Sequence, residues 1–154
     1  MLVGSVALIL HILSAVIWVG GMFFALVVLR PASGALEAPV RLGLWLRVFD
    51  RFFAWVFAAI VILLLSGFAM IFSLFGGFAG VRLYVNLMML IGVVMMMLFL
   101  HLYFAPWKRF RAAMAAGDNV VAAAQLNQIR VIVMINLILG LITVAIGGSG
   151  RYWS

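Results

Sequence analysis

A chain of 154 residues that is 69% hydrophobic and 8% charged, with a mean hydropathy of +1.38, lies far outside the composition of water-soluble domains and describes an integral membrane protein. The lack of cysteine excludes disulfides, thiolate metal centres and thiol catalysis. The net charge of +7 comes from singly scattered bases, with no basic stripe and no Gly-rich phosphate loop, so nucleic acid is excluded as a partner and an anionic lipid leaflet is left.

Four apolar runs, residues 4–29, 52–75, 83–105 and 129–148, are each long enough to cross a hydrocarbon core of ~30 Å, which needs ~20 helical residues. They predict an all-α integral membrane protein, a four-transmembrane-helix bundle forming a single domain over residues 1–154 with no soluble domain outside it. The first run has no basic flank before it and is too long for a signal-peptide core, so it is expected to remain as a helix. Its stretch HILSAVIWVGGMFF contains one imidazole, His11, which shares a face with Ser14, Trp18, Gly21 and Ala25 at three- and four-residue steps. A lone histidine at this depth reads either as a helix-to-helix hydrogen bond or as a functional ligand.

The first connection, APVRLGLWLRVFDRFF, sets Leu42, Trp45, Val48, Phe49 and Phe52 near one face and Arg41, Arg47 and Arg51 largely away from it, the pattern of an amphipathic segment lying in the interface. In the second span, Ser66-Gly67 provides a small, weakly polar spot. The third span aligns Asn86, Leu90, Met97 and His101, with Met97 one turn before His101, a pair able to ligate copper or haem iron. The run Met95-Met96-Met97 resembles a copper-handling motif, but successive residues point about 100° apart, so one site cannot use all three. The third connection reads as a helical extension beyond Pro106 that stops at Gly117, after which Asp118 caps the helix leading into the last span. That span adds Asn136, Gly140, Thr143 and Gly147 on a small face.

Arg30, Arg41, Arg47, Arg51, Lys108, Arg109, Arg111 and Arg130 fall in or beside the first and third connections, while only Arg82 and Arg151 fall on the other side. The positive-inside rule therefore puts both termini outside the cytoplasm and the amphipathic helical segments in the two cytoplasmic connections. The only acids, Glu37, Asp50 and Asp118, lie in connections, which disfavours proton coupling through an intramembrane carboxylate. His11 lies 19 residues before Arg30 and His101 five before Pro106, on helices of the same direction. The difference is ~21 Å of depth at ~1.5 Å per residue, too far for one metal. His101 is expected at the inner rim beside Arg130 and Asn136.

The pattern His11, Trp18-Val19-Gly20-Gly21, Phe23 and Arg30-Pro31, followed by three more spans, resembles the CopD family of bacterial inner-membrane proteins and its relative, the HemJ-type protoporphyrinogen oxidases. The resemblance covers nearly the whole chain, and Arg130 with Asn136 is similar to an arginine and asparagine near the start of the last HemJ helix. It implies a haem ligand at the position of His11. A lysine that the oxidases carry early in the third span is absent, Asn86 standing in its region. The CopD name implies copper uptake or tolerance, although larger CopD proteins carry additional helices.

The leading expectation is therefore a multi-pass, CopD-like protein of the bacterial inner membrane that binds haem b through His11, with Trp18, Arg130 and Asn136 lining the cofactor, in a redox or haem-handling role. Its second axial ligand is open, contributed by His11 of a homodimer partner, or unidentified. The alternatives are a copper transport or tolerance protein using Met97 and His101, and a non-catalytic accessory subunit of a larger membrane complex. No catalytic residue is identified.

Overall fold

A computed structural model describes residues 2–153, all of them helical or in short turns. Four helices, Leu2–Ala35, Ala38–Leu74, Leu83–Ala115 and Asn119–Tyr152, are each long and apolar enough to cross a membrane. They run up and down, so that the turns at residues 36–37 and 116–118 share one end. The chain termini and the turn at residues 75–82 share the other. We call these the basic end and the terminal end, after the arginines at one and the chain ends at the other.

All four helices exceed the runs expected from hydropathy, because the amphipathic connections join the spans. Residues 38–51 are helical as anticipated but do not lie as a separate interfacial segment. They are the opening turns of the second helix, and Asp50 is inside that helix rather than in a loop. The reason is a single buried stripe, Trp45, Phe49, Phe53, Val56 and Ala59, which keeps helical spacing through the whole junction. Nothing between Arg51 and Phe52 breaks it, so the first connection shrinks to Leu36 and Glu37, with Pro39 in the first turn of the new helix.

The third connection follows the sequence expectation. Gly117 adopts φ +72°, a left-handed conformation that suits glycine. The Asp118 N–H donates to the Ala113 carbonyl at 3.0 Å. The Asp118 carboxylate then accepts from the Val120 and Val121 N–H groups at 3.1 and 3.0 Å. At the terminal end, Gly76 and Gly77 also have positive φ, and the Gly77 N–H closes the second helix on the Ile71 carbonyl at 3.0 Å.

Two of the helices widen into π-turns, Phe24–Leu29 before Pro31 and Tyr103–Trp107 around Pro106. A proline lacks an N–H and crowds the carbonyl four residues back, and an extra residue per turn relieves that conflict without ending the helix. Both widenings lie in the basic half.

The first helix packs chiefly on the second and the third on the fourth, while the first and fourth join the pairs. Glycines permit these approaches. A Cβ on Gly140 would stand 2.9 Å from a Val19 methyl and 3.2 Å from the Met95 methyl, and one on Gly147 would stand 2.9 Å from the Met88 methyl. The second and third helices meet instead through rings: Phe53 stands edge-on to Phe99 and Trp107, and Phe57 edge-on to Tyr103, at centroid distances of 5.5, 5.2 and 4.8 Å. This aromatic core fills the basic half.

Candidate functional site

His11 sits in the terminal half of the first helix, against the second. Its Nδ1 is 2.9 Å from the Ser66 hydroxyl oxygen. That hydroxyl is itself 2.6 Å from the Ile62 carbonyl, one turn back on the second helix, and 3.3 Å from the Leu63 carbonyl. A serine has one proton, and a carbonyl can only accept, so the Ser66 O–H is committed to its own helix. His11 must then donate through Nδ1, which assigns the proton to that nitrogen and leaves the lone pair on Nε2 without a use in this contact. The ring has room because residue 67 is glycine: a Cβ there would be 3.6 Å from the imidazole Cε1.

In metal-binding histidines one ring N–H is likewise held by a protein oxygen. Ser66 was legible as a small polar residue. Its pairing with a residue 55 positions away was not, since no local pattern links them.

The other sequence candidates are dispersed. Trp18 is 3% exposed and stands edge-on to Phe99, within the aromatic core. Asn136 is 2% exposed and donates through Nδ2 to the Met95 carbonyl at 3.1 Å, while its Oδ1 is sealed without a partner. Arg130 is half-buried with its guanidinium over the Trp45 ring, 5.6 Å from the centroid. Met97 is 62% exposed and His101 is also exposed, so this pair faces outward from the bundle. Of the two residues expected beside His101 at the inner rim, Arg130 engages Trp45 and Asn136 engages Met95.

The two histidines are also well apart in depth. His11 meets the second helix at Ser66, whereas the turn following His101 meets it through Tyr103 on Phe57 and Phe53. Nine to thirteen residues of one helix separate those levels, about 14–20 Å at 1.5 Å per residue. Among the described residues no three His, Cys, Asp or Glu side chains converge.

A separate cleft of about 230 Å³ lies between the second and third helices in the basic half, walled by Phe49, Phe53, Phe57, Tyr103 and Trp107 and joined by Asp50 and Arg111. His11 takes no part in it.

Searches of curated proteins and of solved structures return no match for the chain. A family comparison does: with its four apolar helices, the chain belongs to the CopD family, copper resistance protein D, whose family model matches residues 46–149, from the opening turns of the second helix to the last turns of the fourth.

Proposed function

We propose that this chain is a copper-related protein of the bacterial inner membrane in which His11 is the metal-binding side chain, acting through Nε2. The observation that carries the reading is the Ser66 contact, which fixes the proton on Nδ1 and so presents a neutral, preoriented nitrogen donor within an apolar span. A neutral imidazole suits Cu(I), whose remaining positions methionine thioethers can fill, and no carboxylate is required. Copper here is the cargo rather than a resident cofactor. The same nitrogen also serves the iron of a b-type haem, as the motif from His11 to Gly21 suggests, and a single sample separates the two metals.

The test uses the full chain in detergent, offered Cu(I) against a competing chelator and, separately, haemin. Retention of Cu(I) that His11→Ala abolishes and Ser66→Ala weakens by about 10–100-fold supports the proposal. A Soret band lost on His11→Ala assigns the nitrogen to haem instead. Copper lost only on Met97→Ala or His101→Ala moves the site to the outward face of the third helix. Retention of neither metal leaves the accessory role in a larger membrane complex.

A further inference from the structure

The basic end carries positive charge that the chain itself does not neutralise. Arg130, on the fourth helix, lies over the Trp45 ring of the second. Burial disfavours its charge, and Arg30, near the close of the first helix, and Arg41, in the opening turns of the second, add like charge from the same end. The first, second and fourth helices thus each carry an arginine toward this end of the bundle. Arg41 donates to the Leu36 carbonyl at 3.4 Å, which ties it to the turn beside Arg30. Among the described residues none of the three is held by a carboxylate.

Bases at a membrane rim are ordinarily solvated by water and headgroups and need no other explanation. Two features separate this group from a solvated rim. Arg41 and Arg130 are half-buried rather than extended outward. Beside them, the Arg130 Nε–H and the Trp45 Nε1–H are both sealed from solvent and have no acceptor. Trp45 is 1% exposed, so its N–H is locked in place by the packing around the ring and cannot swing out to water. An unpaired buried donor is costly, and like charges nearby add to that cost. One anionic acceptor offsets all of these at once.

We propose that Arg30, Arg41, Arg130 and Trp45 form a binding site for a phosphate group, supplied at this depth by the headgroup of an anionic phospholipid. Phosphate suits the arrangement better than a carboxylate does. Its oxygens are arranged tetrahedrally and accept from several directions, as donors on three helices require, whereas a carboxylate offers two oxygens in one plane. The site also lies where the apolar spans end, the level at which lipid phosphates lie. Bound there, a headgroup would tie the first, second and fourth helices together at their basic ends.

The experiment uses the full chain purified in detergent, with phosphatidylglycerol, phosphatidylcholine and inorganic phosphate as probes. Retained lipid is read by native mass spectrometry, and stabilisation by the thermal unfolding midpoint. Wild type should retain phosphatidylglycerol over phosphatidylcholine, Arg130→Gln should erase the preference, and Trp45→Phe, which keeps the ring but removes the N–H, should weaken it about tenfold. Arg47→Gln, which removes the same charge from an exposed position on the helix that carries Trp45, should leave it intact. Saturable stabilisation by inorganic phosphate that Arg130→Gln abolishes, with no lipid preference, keeps the site and assigns it to the free anion. An equal loss in Arg47→Gln and Arg130→Gln reduces the site to diffuse surface charge and overturns it, as does indifference to every probe. If Arg130→Gln does not fold, Trp45→Phe decides alone: an unchanged preference for phosphatidylglycerol overturns the proposal.

Discussion

At His11 the functional question turns on the direction of one hydrogen bond. Because Ser66 spends its proton on the Ile62 carbonyl, the imidazole must donate to it, and the contact is compatible with a ligand on the opposite nitrogen. Glutamine at position 11 can still donate to Ser66 but offers no imidazole nitrogen. His11→Gln is therefore expected to fold and insert normally while losing the metal, measured on purified protein, and full metal retention would return His11 to a helix-to-helix hydrogen bond. Asn136 poses the reverse case. Its donor is satisfied by Met95 and its Oδ1 is sealed and unpaired, so replacing it with leucine removes a useful bond and a costly orphan together. Asn136→Leu should shift unfolding by less than about 1 kcal/mol, and a larger loss would point to an unseen partner on Oδ1.

At the level of the helix, each departure from regular winding has an identifiable chemical cause. Pro31 and Pro106 account for the π-turns, and Gly117 with Asp118 accounts for the reversal into the fourth helix. Asp118→Ala should cost about 1 kcal/mol of stability in a detergent unfolding assay, since two N–H groups lose their acceptor. Glycines on the helix faces divide into those that pack and those that do not. A methyl on Gly140 would press on Val19 and Met95 from two helices, whereas a Cβ on Gly20 would meet nothing within 4 Å. Gly140→Ala is expected to lower stability by about 1–3 kcal/mol and Gly20→Ala to leave it unchanged; equal effects would show that the fourth helix is not so closely apposed to the first and third.

For the molecule as a whole, charge and shape agree on one axis. The basic end carries Arg30, Arg41, Lys108 and Arg111 around its two turns, and the opposite end carries Arg82 and Arg151. Reporter fusions near residues 35 and 118 are expected to report the cytoplasm, and fusions near residue 78 and the C-terminus the other side. A non-cytoplasmic signal at 118 would invert the molecule and move the phosphate site to the opposite leaflet. Between the two ends, the outer surface is covered with exposed apolar side chains such as Leu65, Val93 and Met97, as contact with a lipid bilayer requires.

The sequence by itself determined the number of spans, their direction relative to one another, the stop at Gly117 and the cap at Asp118. Each of these rests on local composition or on φ preferences that hold whatever the neighbours are. It also made His11 conspicuous, because one imidazole in an uncharged span needs a reason. Which side of each helix faces inward was beyond it. In a chain apolar all round, lipid and interior attract the same side chains, so periodicity gives no contrast to read. Hence Met97 and His101, well spaced on paper, face outward, while Trp45, assigned to an interfacial segment, is sealed in the core. Only tertiary packing brought Ser66 to His11 and Arg130 to Trp45, across 55 and 85 residues of chain, because such contacts are set by which helices neighbour each other and at what register.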